Sequence, residues 1–132
     1  MTYINQLIHH LLLTIQQQSK KIDDLEVVMT NLPGSVYWKD YDGVYLGRNQ
    51  YAQRKMQTEG LEWQHCEGLT DFDLFDQETA EKFRVNDLKV MNSKTETVSE
   101  ENYLTADGKI HINYSLKRPL IKDDVVTGIL GV

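Results

Sequence analysis

Residues that could do chemistry gather in one short stretch. Asp71 and Asp73 stand two apart in Gly68-Leu69-Thr70-Asp71-Phe72-Asp73-Leu74, and paired carboxylates serve as general acid and base when partial burial separates their pKa values. The competing use is structural, because Thr and Asp side-chain oxygens cap short helical turns by accepting backbone N–H groups. The general preference of these residues for caps and turns favours the second use. His65, Cys66, Glu67 and Asp71 can be drawn as a metal set, yet their spacing matches no established ligand pattern, so a polar loop and no metal site are expected. Nothing in the sequence assembles a nucleophile, a base and an orienting group, and no Gly-rich phosphate loop is present. No catalytic residue is assigned. A binding role is left for Tyr37, Tyr45, Phe72, Phe83, Ile112 and Tyr114. These could line a space between helices and sheet, with tyrosine hydroxyls orienting a small molecule. The same residues also serve as ordinary core.

Those groups need a scaffold, and composition bounds it. The chain has 132 residues, 14 Lys and Arg against 20 Asp and Glu, a net charge of −6 and one cysteine. That is one domain's worth of sequence with an appendage. A lone Cys66 forms no internal disulfide, which points to a reducing, cytoplasmic setting. The acidic balance lacks the basic stripe that displaces counterions from phosphates, so no nucleic-acid partner is expected. The apolar run Leu7 to Ile15 is interrupted by His9 and His10 and followed by three glutamines. It is neither an export signal nor long enough to insert in a membrane.

The first 33 residues read as an arm. Ile4, Ile8, Leu11, Ile15, Gln18, Ile22, Leu25, Met29 and Leu32 alternate by fours and threes, with isoleucine at most a positions and leucine at most d positions. This pattern favours a parallel two-stranded coiled coil. Ile8, Leu11, Ile15, Gln18, Ile22, Leu25 and Met29 are its expected dimerisation seam. Leu7, Leu12, Leu13, Val27 and Val28 widen the stripe, so an amphipathic helix folded back on its own domain remains the alternative. Pro33-Gly34 stops the helix.

From residue 34 the period becomes strand-like. Ser35 to Lys39 and Val44 to Gly47 flank the Asp42-Gly43 turn. Asn49 caps a short helix from Gln50 to about Met56, and Gly60 ends it. Between Glu59 and Glu81 lie eight acidic residues and no Lys or Arg. Asp76 caps a longer helix on which Ala80, Phe83, Leu88 and Met91 share an arc. Thr97 to Leu104 leads through Ala106-Asp107-Gly108 to Lys109–Leu120, where Ile110, Ile112, Tyr114 and Leu116 alternate with polar residues and so predict a buried apolar face. Val125 to Val132 forms a last strand. Five strands with the helices in mid-sequence predict an α+β fold: an antiparallel sheet with helices on one face.

This order of elements resembles PAS sensor domains, as do three segments: Leu32-Pro33-Gly34-Ser35-Val36-Tyr37-Trp38-Lys39-Asp40, Asp42-Gly43-Val44-Tyr45-Leu46-Gly47-Arg48-Asn49 and Gly68-Leu69-Thr70-Asp71-Phe72-Asp73-Leu74-Phe75. The resemblance runs from about Leu32 to Val132 and implies sheet order 2-1-5-4-3 with a cavity between sheet and helices. It also implies a dimeric sensory module feeding a C-terminal output domain, most often that of a two-component histidine kinase. Alternatives are a ligand-free PAS dimerisation scaffold in a diguanylate cyclase or chemoreceptor, and a small α+β enzyme using Asp71 and Asp73. On this reading the chain is a non-enzymatic fragment: an arm at 1–33, a PAS domain at 34–132, and a covalently linked output domain beyond. The flavin branch of the family carries a reactive cysteine in another sequence context than His65-Cys66-Glu67-Gly68. The haem branch uses a histidine on the long helix, which has none here. The resemblance therefore argues against flavin and haem and leaves an unidentified small ligand open.

Overall fold

A computed structural model describes residues 2–52, 54, 66–104 and 107–132. The chain divides into two units, Met1–Asn31 and Leu32–Val132. The first is one helix, α1 (Tyr3–Asn31), none of whose residues is buried. Ile8, Leu11, Ile15, Ile22 and Leu25 are exposed along it, as is Gln18, while Met29 is half-buried. Thr2 opens the helix by accepting the Asn5 N–H at its hydroxyl.

The second unit begins with a hairpin, β1 (Tyr37–Asp40) and β2 (Tyr45–Arg48). Its turn is built by Asp40, whose Oδ1 accepts the N–H groups of Asp42 and Val44. Gly43 takes the positive φ of +86° that a side chain would strain. Asn49 then caps as expected: Oδ1 accepts from Ala52 N–H at 3.1 Å and from Val36 N–H at 3.0 Å, tying the cap to the start of β1. Residues 50–52 and 54 are helical. The expected helix end at Met56, Gly60 and His65 lies outside the described residues, as does Ala106 of the expected later turn.

The short α2 (Asp71–Leu74) and the long α3 (Gln77–Ser93) follow. Asp76 accepts Thr79 N–H to cap α3, as its sequence predicts. The predicted arc of α3 needs one correction. Ala80, Phe83, Val90 and Met91 are buried, but Leu88 is only half-buried, and Asp87 is completely buried in the middle of the stripe. Beyond Lys94, which ends the helix in the left-handed region, come β3 (Thr97–Glu100), β4 (Tyr103–Leu104), β5 (Ile110–His111), β6 (Tyr114–Lys122) and β7 (Val125–Gly131). The main sheet is antiparallel with order β2-β1-β7-β6-β3, and β4 and β5 pair separately. Counting only the five main strands, this is the expected 2-1-5-4-3. The strand predicted to run unbroken from Thr97 to Leu104 leaves the main sheet at Glu101, whose carboxylate turns inward and whose N–H bonds Asn113 O at 2.7 Å.

The second correction concerns β6. Alternation predicts that Ile112 and Tyr114 face the core, but they are 60% and 68% exposed, while Ser115 and Lys117 are buried. The pleat sits one residue out of phase with the apolar pattern. Register flips every side chain at once, and the phase adopted here is the one that brings Lys117 to buried carboxylates.

Candidate functional site

Between α3 and the inner face of the sheet lies a cavity of about 100 Å³. The sheet contributes Tyr37 and Lys39 from β1, Tyr45 and Arg48 from β2, and Ser115 and Lys117 from β6. Phe83 of α3, Phe75, Tyr103 and Cys66 close it with Ala52 and Val132, and Ser35, Glu101 and Asn113 add polar edges. Phe75 packs edge-on against Phe83, ring centroids 5.1 Å apart, and leans on Tyr103 at 5.8 Å.

At the base of this cavity is a network of five buried charges. Lys39 Nζ donates to Asp71 Oδ2 at 2.5 Å and Asp87 Oδ2 at 2.9 Å. Lys117 Nζ donates to Asp87 Oδ1 and Glu101 Oε2, both at 2.5 Å. Tyr45 OH donates to Asp71 Oδ1 at 2.7 Å, Asn86 Nδ2 donates to Glu101 at 3.2 Å, and the Tyr37 and Ser115 hydroxyls share a bond at 3.2 Å. Lys39 is 1% exposed, and Lys117 and Asp87 are 0% exposed. Charges so deeply buried persist only when each is paired and hydrogen-bonded. Burial alone would pull both lysines down. For Lys39 the Asp87 and Asp71 carboxylates reverse this, and for Lys117 the oxygens of Tyr37, Asp87 and Glu101 do, so both ammonium groups are held above their ordinary value. Burial pushes the Tyr37 and Tyr45 phenols up, Tyr45 furthest because Asp71 adds to it. Burial likewise raises the Cys66 thiol, against the pull of Arg48, so the cavity meets a neutral thiol.

Of the residues picked from sequence as cavity candidates, the structure brings together Tyr37, Tyr45 and Phe83. Phe72 is 49% exposed, and with Ile112 and Tyr114 it stands off the cavity wall. Phe72 points outward because α2 turns Asp71 inward instead, and the other two are carried out by the phase of β6. Asp73 does cap, accepting the Thr70 N–H at 2.9 Å, whereas Asp71 serves the lysine network rather than a cap. His65 of the drawn metal set lies outside the described residues, among which no group of three potential metal ligands occurs. Sequence reasoning missed Lys39, Lys117, Asp87 and Glu101. The available signal was Asp87, a charged residue set at helical spacing among Phe83, Val90 and Met91.

This sheet order, with helices and cavity on one face, is the PAS fold. No protein-family model and no curated protein matches the chain in sequence. Solved structures match in fold. The PAS domain of BvgS from Bordetella pertussis has TM-score 0.64 and 19% identity over 85% of this chain and 83% of its own. The PAS domain of an HTR-like protein from Haloarcula marismortui has TM-score 0.66 and 18% identity over 89% and 93%. Vibrio cholerae VqmA, in complex with ligand and DNA, has TM-score 0.68 and 20% identity over 82% of this chain and 48% of its own. The chain thus spans about half the length of that receptor.

The last likeness corrects the exclusion of nucleic acid. A DNA-bound receptor contains this fold, and the net charge of 132 residues bounds only what those residues themselves touch. Among the described residues, no helix is long and apolar enough to cross a membrane.

Proposed function

We propose that the chain is the sensory part of a longer signalling protein, with residues 34–132 binding a small molecule in the cavity and residues 1–33 pairing two copies. The observation that carries the reading is the cavity itself: an aromatic wall over a fixed set of polar groups, the composition of a small-molecule site. The fold supports a sensory role. The sequence resemblance favours a histidine kinase output, and the lone Cys66 favours a cytoplasmic setting. The ligand- and DNA-bound VqmA favours a second output, a DNA-binding receptor. Native mass spectrometry of protein taken directly from producing cells is expected to show one low-mass species per chain, released on denaturation. A bare chain, unshifted in melting temperature by a metabolite library, would sink the reading.

Pairing through α1 is supported by its exposed apolar stripe, since an isolated helix is marginal in water without burial. Ile15→Asp combined with Ile22→Asp is expected to halve the mass seen by light scattering. A dimer that survives both changes removes the arm from the interface.

A further inference from the structure

The phase of β6 that buries Ser115 and Lys117 has a counterpart on the other side of the sheet. Tyr103, Asn113 and Ser115 line the cavity, so alternation turns Leu104, Ile110, Ile112 and Tyr114 away from it. Leu104 pairs across from Ile110, and Val98 stands two residues from Glu100, the partner of Tyr114. These five side chains are between 60% and 69% exposed. They form one apolar face at the β4–β5 end of the sheet, on the order of 500 Å² if each offers the area of a mostly exposed aliphatic or aromatic group. A monomer seldom leaves a larger apolar patch in water.

We infer that this face packs against the same face of a second copy of the chain, about a two-fold axis that crosses the strands between Ile112 and Tyr114. Charge selects the copy over an unrelated partner. The chain carries −6, so two copies repel wherever acids dominate. The centre of this face is uncharged, Glu100 standing at its β3 edge, and each end holds one cation and one anion: Lys109 with Asp107 at the ribbon tip, and Arg118 with Glu96 beyond Leu116. The axis lays one end over the other, so each cation has an anion of the second copy to meet. A partner that used only the apolar centre would need no such matching. Area agrees, because a standard interface takes about 800 Å² from each side, and half-buried Leu116 and the charged ends add to the apolar face. The inference goes beyond the pairing proposed for α1 and does not depend on it.

Cross-linking of the intact chain by a short bismaleimide reads the contact. Ile112→Cys places a thiol beside the axis, and Val125→Cys places one at the opposite end of β6, across from Lys122 and 62% exposed. Cys66 is fully buried and does not compete. Ile112→Cys is expected to join two copies at least about tenfold faster than Val125→Cys, because an interface holds facing groups at a high effective concentration. Adding Ile110→Lys, which sets a cation in the apolar centre of both copies, is expected to bring that rate down to the Val125→Cys level. If the combined variant fails to fold, the first ratio still decides. Every variant carries the same α1, so pairing there does not produce the difference. Equal rates overturn the inference, as does a fast rate that Ile110→Lys leaves unchanged. An Ile112→Cys thiol that stays shielded from the reagent without joining two copies shows another occupant, and the inference falls with that result too.

Discussion

Replacing Asp87 with asparagine is expected to destabilise the domain by about 3–5 kcal/mol, the usual result of removing one partner from a buried ion pair. Asp87 holds both lysines at once, through Oδ2 for Lys39 and Oδ1 for Lys117. The neutral amide leaves two ammonium groups in a dry interior with one carboxylate each. Against a typical stability of about 5–15 kcal/mol, that is a large share. Urea unfolding followed by circular dichroism measures it, and a loss below about 1 kcal/mol would show that the network is solvated. The pH profile provides a second arm. Lys39, Lys117, Tyr37 and Tyr45 all have folded pKa values raised above their unfolded ones. Each group's contribution is fully present below its unfolded pKa of about 10 and is lost as pH rises toward the folded value. Stability should therefore show no loss from these four groups up to about pH 10 and fall beyond it. In Asp87→Asn the decline from the lysines should be smaller and end sooner, because the anion that held their folded pKa values up is gone.

Gly128→Ala is expected to cost about 3 kcal/mol, the upper end of overpacking effects. A Cβ at this position would lie 2.0 Å from the Lys39 carbonyl oxygen and 3.0 Å from Asp40 Cα. Both are backbone atoms of the paired strand, where Lys39 faces Ile129 and Asp40 faces Gly128, so no rotamer change relieves the contact. By contrast, a Cβ at Gly47 would meet the Trp38 ring, a side chain rather than backbone. Thermal unfolding of Gly128→Ala should fall well below that of the parent chain. An unchanged midpoint would mean that β1 and β7 do not pair in this register.

How far the sequence could be read depended on the range of the interactions. The α1 helix, the Pro33-Gly34 stop, the Asp42-Gly43 turn and the Asn49 and Asp76 caps are set by neighbours within a few residues, and they appear where the sequence puts them. The element order gave an antiparallel sheet with helices on one face, and the strand order came from the resemblance to PAS domains. The phase of β6 was not legible by the same means. Ile112 and Tyr114 alternate as a buried face should, but that rule weighs apolar area alone, about 1.5–3 kcal/mol per large side chain. Lys117 instead joins Asp87, 30 positions away, and Glu101, 16 positions away. Leaving those acids buried without it would cost more than the exposed apolar residues lose. For the cavity, Tyr37, Tyr45 and Phe83 could be picked out as aromatics. Lys39 and Ser115 could not, because their place on the wall follows from pairing rather than from residue type.

The position of Asp87 also limits how this domain can move. Its two carboxylate oxygens reach lysines on β1 and β6, the strands on either side of β7. The helix is thus moored across the middle strand at two points, and sliding along or across the sheet stretches one bond or the other. Gradual drift is blocked. To rearrange, the helix would have to cast off one mooring or the other, so its expected motion has the character of a latch.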